Sequence, residues 1–589
     1  MEQGLDHPGP KFTHGEACSM KHNYPKLDIQ DWQTIQPHVD ALLATKLTPE
    51  NVRDWLQQWS DLESVLDEEM SWIYRAITEN TADEEANARF QKVVGEVFPK
   101  WQVAEQQLNE KWVAVEGYEP DQETAQIYRR TKAEIELFTE ANIPILTELQ
   151  LQSKRYQEIT GGLSIEWQGE SITIPQAEAH LGDRDRGVRK QVWRKSMDAY
   201  LAHRDELNEL FMSLLVKRRQ LAKNAGYPDF RAYQWLRRGR FDYSPEDCAV
   251  FHDAIEKEVV PLATAMYENI ARQVGLDRLR PWETGIGSPW LPTVDPYDEP
   301  LHPFDDVSQL EAVGQRVFER VHPDFGRYFQ SMRDGFLDLA SRPNKAPGGY
   351  MNSFPISGKA YIFMNAVGTH RNFRTLMHEG GHAFHFFEAF QHQDLIWNYH
   401  APLEFAEVAS MSMELLSLPY WKRKEGGFYD GQDYRRAVVE QLVGIVTFLP
   451  YMAVVDKMQH WLYTEAPDDI TAADIDAKWS ELWDRFMPGV DYSGLDVEKA
   501  TGWHRKGHIF GSPFYYIEYG LAQMGALQVW RNALEDQDGA VAAYRRALAA
   551  GYTRPLPELF QLANTRFAFD RATVGELMGL IQTELEKHL

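Results

Sequence analysis

The chain has 589 residues, of which 43% are hydrophobic and 25% charged, proportions that are ordinary for a soluble globular protein. This length suffices for two or three domains or for one large multi-lobed fold. Because 88 acidic residues oppose 61 basic ones, the net charge is −27, which disfavours nucleic acid and anionic membranes as partners.

The N-terminal sequence and the cysteines together predict a cytoplasmic location. The first ten residues lack the basic and apolar segments of a secretory signal. The longest apolar run, 442–455, is too short to span a bilayer and predicts a buried helix. Cys18 and Cys248 lie far apart, which predicts two free thiols, no disulfide framework and no cysteine zinc site. We therefore expect no membrane association, while composition leaves the oligomeric state open.

Helical periodicity dominates the first half of the chain. Between 49 and 158, apolar residues recur every three or four positions, which predicts long amphipathic helices. Gly161 and Gly162 interrupt this pattern, and alternating polar and apolar residues then predict a short β-hairpin near 163–174. Helical periodicity resumes at 183, so we predict an N-terminal helical region over 1–182.

A small sheet is predicted in the second half. A turn-rich loop at Gly348 and Gly349 precedes two candidate strands, 351–354 and 360–364. From position 369 the chain is helical almost to its end. The predicted fold is therefore mainly α, with a small β-sheet next to the helix that starts near 369. We expect the sheet edge at Ala360–Asn365 to accept an extended peptide as an added strand.

The helix that follows this sheet contains an HExxH sequence, from His378 to His382. Residues four apart lie on one helix face, so both imidazoles could bind one ion, with Glu379 close by as a base. Gly380 and Gly381 each cost about 1 kcal/mol inside a helix, so we expect another backbone to approach them closely. The motif predicts zinc-assisted hydrolysis.

A catalytic zinc needs a third protein ligand. The metzincin pattern fails, because the sequence has His385 and Glu388 where that pattern requires glycine and histidine. Downstream, Glu407 and Glu414 are seven residues apart on one face of a predicted helix. One could bind zinc while the other orients a ligand histidine. Glu404 is the competing ligand, and His385 is predicted to be packed or adjacent to substrate, since a fourth ligand would close the site.

The HExxH motif, with Glu407 twenty-five residues beyond His382, resembles the M3 family of zinc oligopeptidases, and most of all its bacterial oligoendopeptidase F and Pz-peptidase branch. The resemblance implies a multi-lobed helical metallopeptidase with a deep substrate channel and a catalytic region over 183–589. The motifs that carry it lie in the second half of the chain, at 348–354, 362–369, 378–407 and 503–519.

The resemblance also implies roles for individual residues. One zinc ion per chain would be held by His378, His382 and Glu407, with Glu379 as general base and Glu414 behind a ligand histidine. Oligopeptide substrates would be bound, and the oxyanion stabilised, by a C-terminal segment and a glycine loop. The implied catalytic residues there are His508, Tyr516 and Tyr519, and the implied substrate-binding residues are Gly348, Gly349, His508, Tyr515, Tyr516 and Tyr519, with the division of work among the three tyrosines left open.

The expected function is zinc-dependent hydrolysis of internal peptide bonds in short, unstructured oligopeptides. One alternative is a zinc carboxypeptidase or dipeptidyl carboxypeptidase, which needs a basic group for the substrate's terminal carboxylate. Arg505, Lys506 and Lys345 are the candidates for that group. A second alternative is a non-catalytic peptide-binding protein, which would not need Glu379.

Overall fold

The computed structural model describes residues 27–294, 300–346 and 348–588, and in this part of the chain helices predominate. The predicted mainly α fold is therefore confirmed. The helices before the central sheet are α1 (Trp32–Ala44), α2 (Val52–Glu79), α3 (Glu84–Lys92), α4 (Phe98–Val113), α5 (Ala125–Leu137), α6 (Ile143–Gly161), α7 (Ile174–Ala179), α8 (Arg186–Ala202), α9 (Arg204–Asn224), α10 (Phe230–Arg237), α11 (Pro245–Ala254), α12 (Val260–Gln273), α13 (Val307–Val321) and α14 (Pro323–Met332).

The helices after the central sheet begin with the one that carries the HExxH motif. Thr369 caps this helix, α15, in a capping box with Asn372. The helices are α15 (His370–His392), α16 (Leu403–Ser417), α17 (Gly431–Thr464), α18 (Ala472–Phe486), α19 (Asp496–Ala500), α20 (Gly507–Gly511), α21 (Tyr516–Glu535), α22 (Gln537–Ala549), α23 (Leu556–Leu562) and α24 (Arg571–Glu586). Helix α16 packs against both α15 and α21, which brings the motif helix and the C-terminal segment together.

A two-stranded hairpin occupies the position that the sequence predicts. Strands β1 (Ser164–Trp167) and β2 (Glu170–Thr173) pair antiparallel. The two residues between them, Gln168 and Gly169, both have positive φ, at 53° and 90°. Two left-handed residues in a two-residue loop match the right-handed twist of the flanking strands, which is why this turn closes the hairpin.

The central sheet has three strands in the order β3 (Leu337–Ala340), β5 (Lys359–Ala366), β4 (Tyr350–Phe354). Strand β5 is parallel to β3 and antiparallel to β4. The prediction that Ala360–Asn365 forms a sheet edge is therefore wrong, because β3, which the sequence pattern does not indicate, pairs with β5 on its other side. The edge strand that packs beside α15 is β4.

The helices bury two large hydrophobic cores. The smaller one belongs mainly to α1, α2, α4 and α5 and contains Trp55, Trp59 and Trp112. The larger core takes in residues from Leu137 to Leu585 and surrounds the motif helix. The regional boundary near residue 182 stays a prediction.

Helix α17 contains the apolar run at 442–455. Among the described residues, it is the one helix that is long and apolar enough to cross a membrane. However, 72% of its most apolar 18-residue window is buried within the protein. Leu442 and Val455, at the ends of the run, are both fully buried. The predicted buried helix is therefore confirmed.

Candidate active site

The two glycines of the HExxH motif allow α15 to approach its neighbours closely. A Cβ added at Gly381 would lie 2.6 Å from the carbonyl oxygen of Ala409 and 2.6 Å from the Cα of Ser410, both in α16. The expected close approach of another backbone is therefore found at this position. A Cβ at Gly380 would lie 2.4 Å from Cζ of Phe318, so there the neighbour is an aromatic side chain of α13. Neither position therefore leaves room for a side chain.

Three potential metal ligands converge where α15 meets α16. Nε2 of His378 lies 3.4 Å and Nε2 of His382 3.6 Å from Oε2 of Glu407. The ligand atoms of the three residues all lie within 4.8 Å of one another. Ligands about 2.0–2.2 Å from a tetrahedral zinc ion are separated by roughly 3.3–3.6 Å, so the spacing fits one ion. Burial would raise the pKa of Glu407, but both histidines outweigh it and lower that pKa to about 2.

Glu414 lies directly behind one of these histidines. Its Oε1 is 2.8 Å from Nδ1 of His378, while its Oε2 accepts a hydrogen bond of 2.9 Å from Gln441. With the Nδ1 hydrogen directed at this carboxylate, Nε2 of His378 keeps its lone pair for a metal. The structure thus places Glu407 and Glu414 on one helix face, where the seven-residue spacing predicts them.

Glu404, the competing candidate ligand, is engaged elsewhere. Its Oε1 accepts a hydrogen bond of 2.6 Å from the hydroxyl of Tyr243 and lies 3.7 Å from Nε of Arg240. It is not part of the cluster that contains Glu407. His385 is also outside that cluster and is 2% exposed, so it is a packed histidine.

Glu379 lies beside the ligand cluster and is 7% exposed. Burial raises the pKa of its carboxyl group to about 7, His378 opposes that rise, and Glu407 adds to it. A Cβ added at Gly349 would be 3.8 Å from Oε1 of Glu379, so the glycine loop lies close to this carboxyl group. Gly348 has a φ of 97°, a conformation that favours glycine. A carboxyl group that titrates near neutrality is suited to accepting and returning a proton.

The C-terminal segment places an imidazole and three phenol rings next to one another, with one of the phenol groups in contact with Glu407. The ring centroid of His508 is 5.6 Å from that of Tyr515, 5.0 Å from that of Tyr516 and 5.9 Å from that of Tyr519. The Tyr515 hydroxyl donates a hydrogen bond of 3.1 Å to Oε1 of Glu407. Burial, together with nearby cations, lowers the pKa of His508 to about 3, so its imidazole is neutral at pH 7.

Two of the tyrosines have different surroundings. Tyr516 is 3% exposed, its ring packs on Phe448, and its hydroxyl accepts a hydrogen bond of 3.0 Å from Nζ of Lys506. Tyr519 is partly exposed, and burial raises the pKa of its hydroxyl, with the negative charges of Glu407 and Glu379 adding to that rise. Of the two side chains, that of Tyr519 is the more exposed.

Two polar residues of the site were not identified from the sequence. Ser410 donates a hydrogen bond of 3.0 Å to Oε2 of Glu407. It is three residues from Glu407 on the same helix, so helical spacing could have revealed it. Gln441, which holds Glu414, comes from α17, and no local pattern connects the two.

Comparisons with known proteins show the family of this chain. The model of Peptidase family M3 matches residues 179–578. The chain is similar to the oligoendopeptidase F homolog of Mycoplasma pneumoniae, with 22% identity over 416 residues that cover 66% of this chain and 63% of that one. For the homolog of Borreliella burgdorferi the identity is 20% over 415 residues, covering 69% and 66%. The chain thus spans less than two thirds of the length of these relatives.

Solved structures match over nearly the full length. Pz peptidase A, solved with an inhibitor, has a TM-score of 0.87 and 25% identity, covering 96% of this chain and 98% of that chain. An oligoendopeptidase F structure has a TM-score of 0.86 and 26% identity, with the same coverage. The family resemblance inferred from the motifs is confirmed by these matches. The chain belongs to peptidase family M3.

Proposed function

We propose that this peptidase is a zinc-dependent endopeptidase that hydrolyses internal bonds of short, unstructured oligopeptides. The observation that carries the proposal is the convergence of His378, His382 and Glu407 beside the buried carboxyl group of Glu379. Two imidazoles and one carboxylate leave a fourth position open, which is typical of catalytic rather than structural zinc. The side chains of His378 and His382 are 23% and 18% exposed, so the cluster is accessible from solvent.

When bound, zinc supplies Lewis-acid chemistry and lowers the pKa of a water molecule toward neutrality. Glu379 would accept a proton from the attacking water as the water oxygen bonds to the peptide carbonyl carbon, and would deliver that proton to the amine nitrogen as the C–N bond breaks. Glu414 keeps His378 in the tautomer that leaves Nε2 free to bind metal. The neutral imidazole of His508 and the hydroxyl of Tyr519 are the candidate donors to the developing oxyanion.

Tyr519→Phe is expected to lower kcat by about 10²–10³-fold with little change in KM, because one oxyanion donor is lost only where charge develops. Steady-state kinetics on one fluorogenic peptide would measure this effect. Tyr516→Phe is the matched comparison. Since the Tyr516 hydroxyl accepts from Lys506 inside the core, we expect that change to lower thermal stability more than kcat. The reverse pattern would assign the donor role to Tyr516.

An extended substrate could pair with β4. This strand pairs with β5 on one side and, among the described residues, with no strand on the other. It packs against α15 and also against α2 from the N-terminal helices. Main-chain hydrogen bonds to such an edge require an extended peptide, which is a reason to expect unstructured substrates. The edge proposed for peptide binding is therefore β4 and no longer Ala360–Asn365.

The carboxypeptidase alternative is less well supported, because the three cations proposed for it are already engaged. The side chain of Lys345 is fully buried, and its ammonium group lies 2.9 Å from the Asp338 carboxylate. Lys506 donates to the Tyr516 hydroxyl inside an aromatic cluster. Arg505 donates to a main-chain carbonyl at 3.4 Å. These contacts favour cleavage at internal bonds.

Digestion of a graded series of peptides, each blocked at both termini, tests the proposal. We expect cleavage at internal bonds of the shorter peptides and no cleavage of a stably folded protein at the same molar concentration. The masses of the products would locate each cleaved bond. A strict requirement for a free C-terminal carboxylate would support the carboxypeptidase instead, and efficient cleavage of the folded protein would refute the restriction to oligopeptides.

A further inference from the structure

A second cluster of metal-binding side chains lies between α11 and α17, outside the proposed catalytic site. Each helix contributes two residues that are four positions apart, and such pairs project from one face. Cys248 and His252 come from α11, and Asp456 and His460 come from α17. The sulfur of Cys248 and one ligand atom each of Asp456 and His460 lie within 4.8 Å of one another. Cys248 and Asp456 are completely buried.

Two polar atoms of this cluster have no hydrogen-bond partner among the described residues. Oδ1 of Asp456 and Nε2 of His460 are both buried and have no hydrogen-bond partner there. Nε2 of His460 is 3.2 Å from Oδ2 of Asp456, but the geometry is not that of a hydrogen bond. Burying a carboxylate oxygen and a ring nitrogen without partners is unfavourable. A cation between the two helices would satisfy both.

We propose that Cys248, Asp456 and His460 bind a second metal ion, of the zinc and cobalt class, that links α11 to α17. A thiolate, a carboxylate and an imidazole form a mixed donor set that suits these ions better than magnesium or calcium. The charges of the thiolate and the carboxylate balance a divalent ion. His252, whose Nε2 is 2.9 Å from Oδ2 of Asp456, orients the carboxylate from behind.

The charged neighbours of the cluster are compatible with such an ion. Arg240 lies near Cys248, but it already pairs with Glu518 at 2.7 Å. Arg231 approaches Nδ1 of His460 at 3.4 Å and is partly exposed, so its guanidinium can turn to solvent when Nδ1 carries the hydrogen. The Cys248 thiol is inaccessible to substrates, which leaves ligation or packing as its function.

This second ion would support the segment that carries the active-site tyrosines. The ring of His460 packs on Phe514, with centroids 5.3 Å apart. Phe514 has a left-handed φ of 63° and immediately precedes Tyr515, which donates to Glu407. A His460 side chain bound to the metal would therefore hold Phe514, and with it the start of the tyrosine segment, in place. The role proposed for the ion is structural.

Cobalt substitution distinguishes the two sites, because only the second contains sulfur. The protein is produced in cobalt-supplemented medium so that the buried site is filled during folding. We expect two cobalt ions per chain and a near-ultraviolet thiolate-to-cobalt charge-transfer band. His378→Ala should keep the band and one cobalt. Cys248→Ser should lose the band and keep one cobalt, whereas Cys18→Ser, the matched control, should keep both cobalt ions and the band.

One cobalt ion per native chain without a thiolate band would overturn the proposal, and so would a band that persists in Cys248→Ser. Circular dichroism would show whether each variant is folded. His460→Gln gives an independent variant at a partly exposed side chain, and we expect it to lose the second cobalt ion while retaining the first. The metal content and spectrum of the native protein decide the matter even if a variant is unstable.

Discussion

Glu379→Gln is expected to lower kcat by about 10²–10⁴-fold and to leave the fold and metal content unchanged. Glutamine has the shape of glutamate, but its amide cannot accept the proton of the attacking water. Glu379 lies next to the ligand cluster without belonging to it, so the three ligand atoms keep their positions. The loss should therefore appear in the chemical step and not in metal binding.

Single-turnover cleavage and metal analysis on the same preparation would measure both quantities. Glu388→Gln is the matched control, because Glu388 is on the same helix and 2% exposed but pairs with Arg545 at 2.7 Å. We expect that change to lower stability and to leave kcat of the folded protein unaltered. Unchanged turnover in Glu379→Gln would show that another group is the base, or that the chain binds peptides without hydrolysing them.

Gly381→Ala should disrupt the metal site by pushing two helices apart. The new Cβ would meet main-chain atoms of Ala409 and Ser410 at 2.6 Å, and a main chain cannot rotate out of the way. Overpacking of this kind costs about 1–3 kcal/mol of folding free energy. Because Gly381 is adjacent to His382, the displacement should also move that ligand away from Glu407. We expect metal affinity to fall by at least about tenfold.

Denaturant unfolding and competition with a metal chelator would test this prediction. Gly579→Ala is the control, because Gly579 lies inside α24 and a Cβ there would meet nothing within 4 Å. We expect that variant to gain about 0.5–1 kcal/mol of stability. Gly380→Ala should be intermediate, since its neighbour Phe318 is a side chain that can move. Native metal affinity in Gly381→Ala would show that this glycine does not set the spacing of α15 and α16.

Features with a local pattern were predictable from the sequence. The hairpin turn at Gln168 and Gly169, the long helices and the buried run in α17 follow from short-range periodicity. The central sheet was predicted only in part, because β3 has four residues with no clear alternation of burial. Its pairing with β5 depends on contacts far apart in sequence, so the edge was assigned to the wrong strand.

The candidate site shows the same division. The four-residue spacing of His378 and His382 was enough to predict that they share one helix face. The seven-residue spacing of Glu407 and Glu414 was enough to predict the same for them. Sequence alone left Glu404 as a rival, and its hydrogen bond with Tyr243 became visible only in three dimensions.

The cysteine cluster between α11 and α17 was hidden in the sequence for a similar reason. Cys248 and Asp456 are about 200 residues apart, and no metal-ligand motif spans that distance. Within each helix the two potential ligands are only four residues apart, but neither pair forms a site alone. Their meeting depends on helix packing, which the sequence does not show directly.

Metal content and peptide cleavage, measured on one sample before and after chelation, test the central claim most directly. The purified protein should contain zinc and cleave an end-blocked peptide at an internal bond. Removal of the metal should abolish cleavage, and added zinc should restore it, because His378, His382 and Glu407 remain in place to bind it. A metal-free protein that cleaves the peptide at an undiminished rate would contradict the proposed mechanism.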